Sequence, residues 1–465
     1  MARCYCHWRR VLFYMCTLCI FLALLLVYIT VMLCTVMNKT STSGTPVHGL
    51  DAVHFVAPGS YPKTFWDLHL HGDAFWNRLQ RTIDNHFNPI LCPNNTKRAF
   101  ENGTFNESLL TQGFSKVINL DGTSRNLDQM PKQIQDFITH MQRRDYPALL
   151  QPDGVCGAGR KEEKEAPLLL LAIKSTEQNF LNRQAVRQTW GQAGWVAGPK
   201  RTGNGGEGGG EGGGYVRRVF LLGKGSAEEL GGNALQMESK LYGDILQWDF
   251  KDTFFNLTLK DVLFWSWFKD SCSRTHFVFK GDDDVFVNTP KIMSYLRDQL
   301  KKPHKTLRDF MVGDVIAAAV PHRFSESKYF IPDSFYKGSY PMYAGGGGVV
   351  YSGLLAKRLH DISKRLTLFP IDDVYVGMCM VRLNAHPVHH DAFLTFDFSS
   401  KEEEEPCSYH TILLVHKRSP GEVVKLWAHV KKTQARCWDV PLRGKQKEEQ
   451  TGRPSKVSLS KDTTV

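Results

Sequence analysis

Three consecutive carboxylates, Asp282, Asp283 and Asp284, stand directly behind the apolar run HFVFK (276–280) in the stretch KGDDDVFVN. Adjacent carboxylates repel one another, so a chain gains nothing by setting three at the end of a buried strand unless a cation or hydrogen-bond donors compensate. Side chains alternate along an extended segment, which sends Asp282 and Asp284 one way and Asp283 the other. That spacing lets one carboxylate hold a hard divalent ion through oxygen while its partner accepts hydrogen bonds from a ribose. An ion of the Mg²⁺ or Mn²⁺ type keeps open positions for phosphates. A solvated acidic turn is the plainer alternative, and the apolar strands on both sides count against it.

A second acidic pair, Asp372 and Asp373 in PIDDVYVG (370–377), opens a helix. Carboxylates in a first helical turn are favoured by the dipole, so a capping pair is one reading. The other is a general base: the helix N-terminus keeps an Asp ionised in a mildly acidic compartment, ready to take a proton from a hydroxyl. Gly345, Gly346, Gly347 and Gly348 run into an apolar strand. They are either a bulged bend or a place where backbone approaches a ligand closely. His416 ends the apolar run ILLVH and is either a satisfied core histidine or a ligand. Arg183 and Arg187, four apart on one helix face, are either solvated or placed to meet a diphosphate at the crevice of a sheet.

The elements that would position these residues alternate between strand and helix from Pro167 onward, which predicts an α/β domain with a mainly parallel central sheet. LLLLAIK (168–174) reads as a buried strand, and Ser175-x-x-Gln178 as a capping box for a helix running to Trp190. Strands follow at 216–222, 244–250, 276–280, 310–315 and 349–353. Helices follow at about 259–272, after Pro290, up to Arg365 and from Asp372. The run GNGGEGGGEGGG (203–214) buries nothing and reads as a disordered loop. It lacks the Lys-Ser/Thr and following helix of a phosphate-binding loop.

At 465 residues the chain is longer than one core supports, so extra segments are expected around one large domain. The net charge of +11 is concentrated at the ends: Arg3, Arg9 and Arg10 give +3, residues 441–465 another +3, and the body only +5. With no basic stripe, nucleic-acid binding is set aside. Val11 to Met37 carries no charge and at 1.5 Å per residue makes about 40 Å of helix, enough to span a bilayer of ~30 Å hydrocarbon thickness. Arg9 and Arg10 before it hold the N-terminus in the cytosol, a type II signal anchor that attaches the chain to a membrane. The segments are then a cytosolic tail (1–10), anchor (11–37), stem (38–63), smaller accessory region (64–165), catalytic domain (166–437) and disordered tail (438–465). Beyond the anchor lie six cysteines, Cys92, Cys156, Cys272, Cys379, Cys407 and Cys437, which an oxidising lumen would pair in any of fifteen ways. Sequons at Asn38, Asn94, Asn102, Asn106 and Asn256 agree with that compartment.

LLLLAIKS with RQAVRQTWG, RRVFLLG, FKDTFFNLTLK, FVFKGDDDVFVN, YAGGGGVVYSG and FPIDDVYVGMC occur in the order of the β-1,3-glycosyltransferases, and the chain resembles that family over about 165–437. Within it the likeness is to the β-1,3-N-acetylglucosaminyltransferases that extend poly-N-acetyllactosamine, and FWNRLQRTIDNHFNPIL (75–91) resembles their N-terminal region. The glycine insertion is a departure from the pattern. The resemblance implies a GT-A-type nucleotide-sugar fold and an inverting enzyme that is Golgi-anchored and metal-dependent (Mn²⁺ or Mg²⁺). UDP-GlcNAc would be the donor and galactose-terminated glycans on glycoproteins or glycolipids the acceptors. Homo- or hetero-dimers with other glycosyltransferases are also implied.

By the same resemblance, Asp284 and His416 hold the metal and Asp373 is the base with Asp372 orienting it. Asp282 lies nearer uridine and ribose, with Asp283 beside it. Arg183, Arg187 and Lys280 line the nucleotide pocket, and Gly345, Gly346, Gly347 and Gly348 form the donor-sugar floor. A β-1,3-galactosyltransferase using UDP-Gal and a non-catalytic lumenal lectin or assembly partner are the alternatives.

Overall fold

The computed structural model describes residues 74–87, 130–154, 156, 166–196, 213–225 and 232–444. The expected tail 1–10, anchor 11–37 and stem 38–63 lie outside the described residues. So do most of the glycine run, the chain after 444, Cys92 and the sequons at Asn38, Asn94, Asn102 and Asn106. No helix among the described residues is long and apolar enough to cross a membrane.

Strands β1 (Ala148–Leu150), β2 (Leu169–Lys174), β3 (Gly194–Val196), β4 (Gly214–Lys224), β5 (Ile245–Lys251), β6 (Phe277–Asp282), β7 (Phe286–Val287), β8 (Met311–Ile316), β9 (Tyr343–Ser352), β10 (Val388–His389), β11 (Phe393–Leu394) and β12 (Leu414–Val415) build two sheets. The large one runs β1-β5-β4-β2-β6-β9-β8-β10, with β3 paired to β4. Strands β5, β4, β2 and β6 are parallel, whereas β9 is antiparallel to both its neighbours. The sheet is therefore mixed. The reversal at β9 falls where the glycines are, beside the acidic end of β6. The small sheet β11-β12-β7 lies off that end.

The helices are α1 (Phe75–Phe87), α2 (Lys132–His140), α3 (Phe180–Gln188), α4 (Gly232–Tyr242), α5 (Leu257–Ser271), α6 (Thr289–Leu300), α7 (Gly353–Ser363), α8 (Asp372–Arg382) and α9 (Pro420–Cys437), with short turns besides. All six residues of β2 are buried, and its alternate side chains enter two cores. Leu170 and Ala172 join the core under α1, α2, α5, α7 and α8, whereas Leu169, Leu171 and Ile173 join the one under α3, α6 and α9. A strand covered on both faces needs a continuous apolar run, which is what LLLLAI supplies.

Local signals place several boundaries. Asn288 caps α6 by accepting from Lys291 N, with Pro290 in the first turn, and Ser352 caps α7 by accepting from Leu355 N. The Ser175 capping box does not form: α3 begins at Phe180 behind Asn179, and the Ser175 hydroxyl accepts from Arg183 instead. Helix α1, from the expected accessory region, inserts Phe75, Trp76 and Leu79 into the first core. Its Asp84 takes the guanidinium of Arg382, at the C-terminal end of α8, at 2.8 and 2.5 Å. Disulfides join Cys156 to Cys272 and Cys407 to Cys437. Cys379 is a buried free thiol, which corrects the expectation that all six cysteines beyond the anchor pair.

Candidate active site

Asp284 stands two residues before β7, and His416 directly follows β12. The antiparallel register Val415↔Phe286 and Leu414↔Val287 brings the two together. His416 Nε2 lies 3.4 Å from Asp284 Oδ1 and 3.8 Å from Asp282 Oδ2. Arg418 N donates to Asp284 O at 2.7 Å and closes the corner. Ligand atoms of Asp282, Asp284 and His416 all fall within 4.8 Å of one another. Two carboxylates and an imidazole are a donor set suited to a divalent ion of the Mn²⁺ or Mg²⁺ class, and without a cation the two acids repel. Burial works against charge on His416, but Asp284 and Asp282 outweigh it and raise its pKa. Asp282 thus joins the expected pair Asp284 and His416.

Asp283 points the opposite way, as alternation requires. It is buried, and its oxygens accept from Asn179 Nδ2 at 3.2 and 3.0 Å, which ties the acidic segment to the start of α3. Burial pushes its carboxyl up to about 6, against donors from Ser175 and Asn179.

Gly345 to Gly348 form a bulge in β9: Asp314 pairs with Gly345 and Val312 with Val350, so two steps on β8 face five on β9. Gly346 and Gly347 have φ of +81° and +88°. A Cβ on Gly345 would sit 3.0 Å from Asp373 Oδ2, one on Gly346 would overlap the Thr395 hydroxyl, and one on Gly347 would lie 2.7 Å from His416 Cγ. The backbone thus threads between the acid cluster and Asp373. The close approach anticipated for a ligand is made, among the described residues, to side chains of the site itself.

Asp372 and Asp373 start α8, but its N-cap residue, Ile371, makes no side-chain cap. Two lysines hold them instead. Lys174, ending β2, donates to Asp372 Oδ2, and Lys280 on β6 lies 3.8 Å from the same oxygen and 3.6 Å from Asp373 Oδ1. Behind both stands Asp261 of α5, 3.2 Å from Lys174 Nζ and 2.9 Å from Lys280 Nζ. Burial opposes the charge on each ammonium, yet Asp261 and Asp372 hold both lysines above their usual pKa. For Asp372 burial opposes ionisation, but Lys174 and Lys280 prevail and depress its pKa. Asp373 goes the other way: partial burial and the charge of Asp372 raise it to about 7, with the lysines opposing. Its side chain is 31% exposed against 13% for Asp372, so Asp373 is the more accessible of the two.

Arg183 and Arg187 do not face a cleft. Arg183 forks onto Glu238 at 2.8 and 2.7 Å and also reaches Ser175 Oγ and the carbonyls of Thr176 and Glu177. Arg187 forks onto Asp244 at 3.0 and 2.7 Å and reaches Glu238 at 2.6 Å. Both are buried, so any service to a nucleotide runs through the loop after β2 that Arg183 fixes. Lys280 likewise serves the Asp372–Asp373 pair. Lys174 and Asp261 were missed in the sequence. Lys174 reads there only as the end of a buried strand and Asp261 only as part of a helix, and only the packing of α5 on the sheet brings them together.

Residues 181–391 match the galactosyltransferase family. The chain belongs to the β-1,3-N-acetylglucosaminyltransferase group of this family. It is 39% identical over 378 residues to N-acetyllactosaminide β-1,3-N-acetylglucosaminyltransferase 2 of Homo sapiens, covering 81% of this chain and 89% of that protein. It is 41% identical over 301 residues to UDP-GlcNAc:βGal β-1,3-N-acetylglucosaminyltransferase 7 of Rattus norvegicus, covering 63% of this chain and 70% of that one.

Proposed function

We propose that this chain is an inverting glycosyltransferase of GT-A type that moves N-acetylglucosamine from UDP-GlcNAc, in β-1,3 linkage, to terminal galactose of N-acetyllactosamine-type glycans. The observation that carries the reading is the glycine bulge of β9, with Asp373 packed at Gly345 and His416 at Gly347. Residues for the leaving group and for the incoming hydroxyl thus stand on either side of one short stretch of backbone.

The anomeric carbon becomes cation-like as the diphosphate departs, so transfer needs charge neutralisation on one side and proton removal on the other. Asp282, Asp284 and His416 would hold a divalent ion, which when bound would supply Lewis-acid neutralisation of the diphosphate. Asp373 accepts the proton of the acceptor hydroxyl. Asp372, pinned through Oδ2 by Lys174 and Lys280, fixes its neighbour's direction, and its depressed pKa and deeper burial make it the weaker base of the two. Asp283 ties the acidic turn to α3 through Asn179. Arg183 and Arg187 steady the loop after β2, and the glycines let the β9 backbone pass close against Asp373, Thr395 and His416. Attack from the face opposite the diphosphate converts an α-linked donor to a β-linked product with no covalent enzyme intermediate.

The compartment belongs to the same proposal: a type II Golgi membrane protein anchored by 11–37 with the enzyme domain in the lumen, as the two disulfides favour. The test is incubation of the purified protein with Mn²⁺, an N-acetyllactosamine acceptor and either UDP-GlcNAc or UDP-Gal, with the product linkage read by NMR. Transfer of N-acetylglucosamine as a β-1,3 product is expected. Transfer of galactose alone would replace the donor assignment, and no transfer from either would leave a binding module.

A further inference from the structure

Asp261 sits in the second turn of α5 with no exposed surface, among the buried residues Leu259, Val262, Phe264 and Trp265. Its two oxygens face Lys280 at 2.9 Å and Lys174 at 3.2 Å, on lysine side chains only 5% and 4% exposed. Charges buried this deeply are a weak way to hold a fold together, since apolar side chains of similar volume usually do it as well or better. Their placement has a direction: Asp261 lies behind the two ammoniums, and Asp372 and Asp373 lie in front of them. The β2–β6 register sets the lysines diagonally, Ala172 opposite Lys280 and Lys174 opposite Asp282. They thus reach Asp372 from two adjacent strands.

We propose that Asp261 is a positioning residue for sugar transfer: it holds Lys174 and Lys280 from behind, so that they fix the Asp372 carboxylate and, one residue on, the direction of Asp373. The inference rests on the reading of Asp373 as the base. Without Asp261 the two cations are left with Asp372 and Asp373 in front of them, and Lys174 with the more distant charge of Asp282. Lys280, already 3.6 Å from Asp373 Oδ1, then closes an ion pair on an oxygen that the acceptor hydroxyl must approach. Asp261 itself touches none of Asp282, Asp284 and His416, and reaches that cluster only at second hand, through the charge that Lys174 presents to Asp282, so nucleotide binding should change far less than turnover.

Asp261→Asn keeps the shape and removes the charge. It is expected to lower kcat about tenfold or more, on the order of what a small misplacement costs. KM for the UDP-sugar and the affinity for UDP with Mn²⁺, read by calorimetry, should stay within about twofold. Lys174→Met and the double variant Asp261→Asn/Lys174→Met are measured beside it. The double variant removes one charge of each sign, so its loss in kcat should be smaller than the product of the two single losses. It also carries the test if the single variant fails to fold. Full kcat in folded Asp261→Asn or in the double variant overturns the proposal. So does a loss of kcat matched by equal losses of UDP affinity and thermal midpoint, which is what a purely structural role gives. Asp373→Asn run in parallel separates the two readings. If it keeps turnover, the base assignment fails; if it is inactive while Asp261→Asn is fully active, only the positioning role fails.

Discussion

Asp372 and Asp373 are neighbours of the same type, and their surroundings drive them apart. Lys174 and Lys280 spend their charge on Asp261 and Asp372, which leaves Asp373 as the third carboxylate facing two cations. A carboxyl raised to about 7 matches the proton affinity that a base needs near neutral pH. The rate should therefore fall as pH is lowered through that value. Asp373→Asn should cut kcat by at least ~10² while leaving UDP affinity near normal. The same shift has a consequence for stability. The folded state binds the Asp373 proton more tightly than the unfolded chain, so this residue's contribution is fully present below the unfolded pKa and is lost as pH rises through the folded one. Asp372 is the mirror case: its contribution stands above the unfolded pKa and is lost as pH falls through its depressed folded value. Asp373→Asn should accordingly raise the thermal midpoint at pH 7.5, with the gain shrinking toward pH 4. A midpoint that falls at pH 7.5 would mean that the ionised carboxylate is held by partners rather than crowded by Asp372.

Elements, rather than single residues, decide how the two halves of the site meet. The glycine bulge carries β9 past Thr395, His416 and Asp373 with no room for a methyl group. Gly346→Ala should cost stability through both the overlap with Thr395 and the positive φ, about 2–4 kcal/mol in chemical denaturation. Gly347→Ala pushes on the His416 ring and should weaken Mn²⁺-dependent UDP binding in calorimetry. An alanine at either position with unaltered stability and UDP binding would show that the bulge is slack. Much of this level was legible in the sequence. The buried β2, the start of α6 at Pro290, the start of α8 at Asp372 and the opposed directions of Asp282 and Asp283 all follow from local period and propensity. The pairing of β7 with β12 does not, because it joins residues more than a hundred positions apart. From the residues alone His416 therefore reads as a lone histidine, more often core than ligand, and only the family resemblance points to the ligand role. Arg183 and Arg187 misled for a related reason: an i,i+4 pair looks the same whether it meets phosphate or, as here, Glu238 and Asp244 on and after α4. Their burial is a property of packing, which periodicity does not report.

At the scale of the molecule, the region before residue 166 read as an accessory piece, yet α1 inserts into the core that carries the site helix. Its Trp76 donates to Leu368 O, and its Asp84 grips Arg382, so both ends of the segment from 368 to 382 that contains Asp372 and Asp373 are held from α1. Nothing in the local sequence announces contacts across nearly three hundred residues. Burial opposes the charge on Arg382, but Asp84 more than restores it and raises its pKa. Asp84→Asn leaves that guanidinium charged and short of its carboxylate in a buried setting. Breaking one side of such a pair costs about 3–5 kcal/mol. The full chain carrying Asp84→Asn should lose stability on that scale in urea, and kcat should fall with it at temperatures where the α8 end loosens, while at low temperature UDP affinity persists because the acid cluster is carried by β6 and β12. A variant as stable as the wild type would show that α1 rests on the core without bracing it. A stable core with lost UDP binding would mean that α1 acts on the nucleotide side instead.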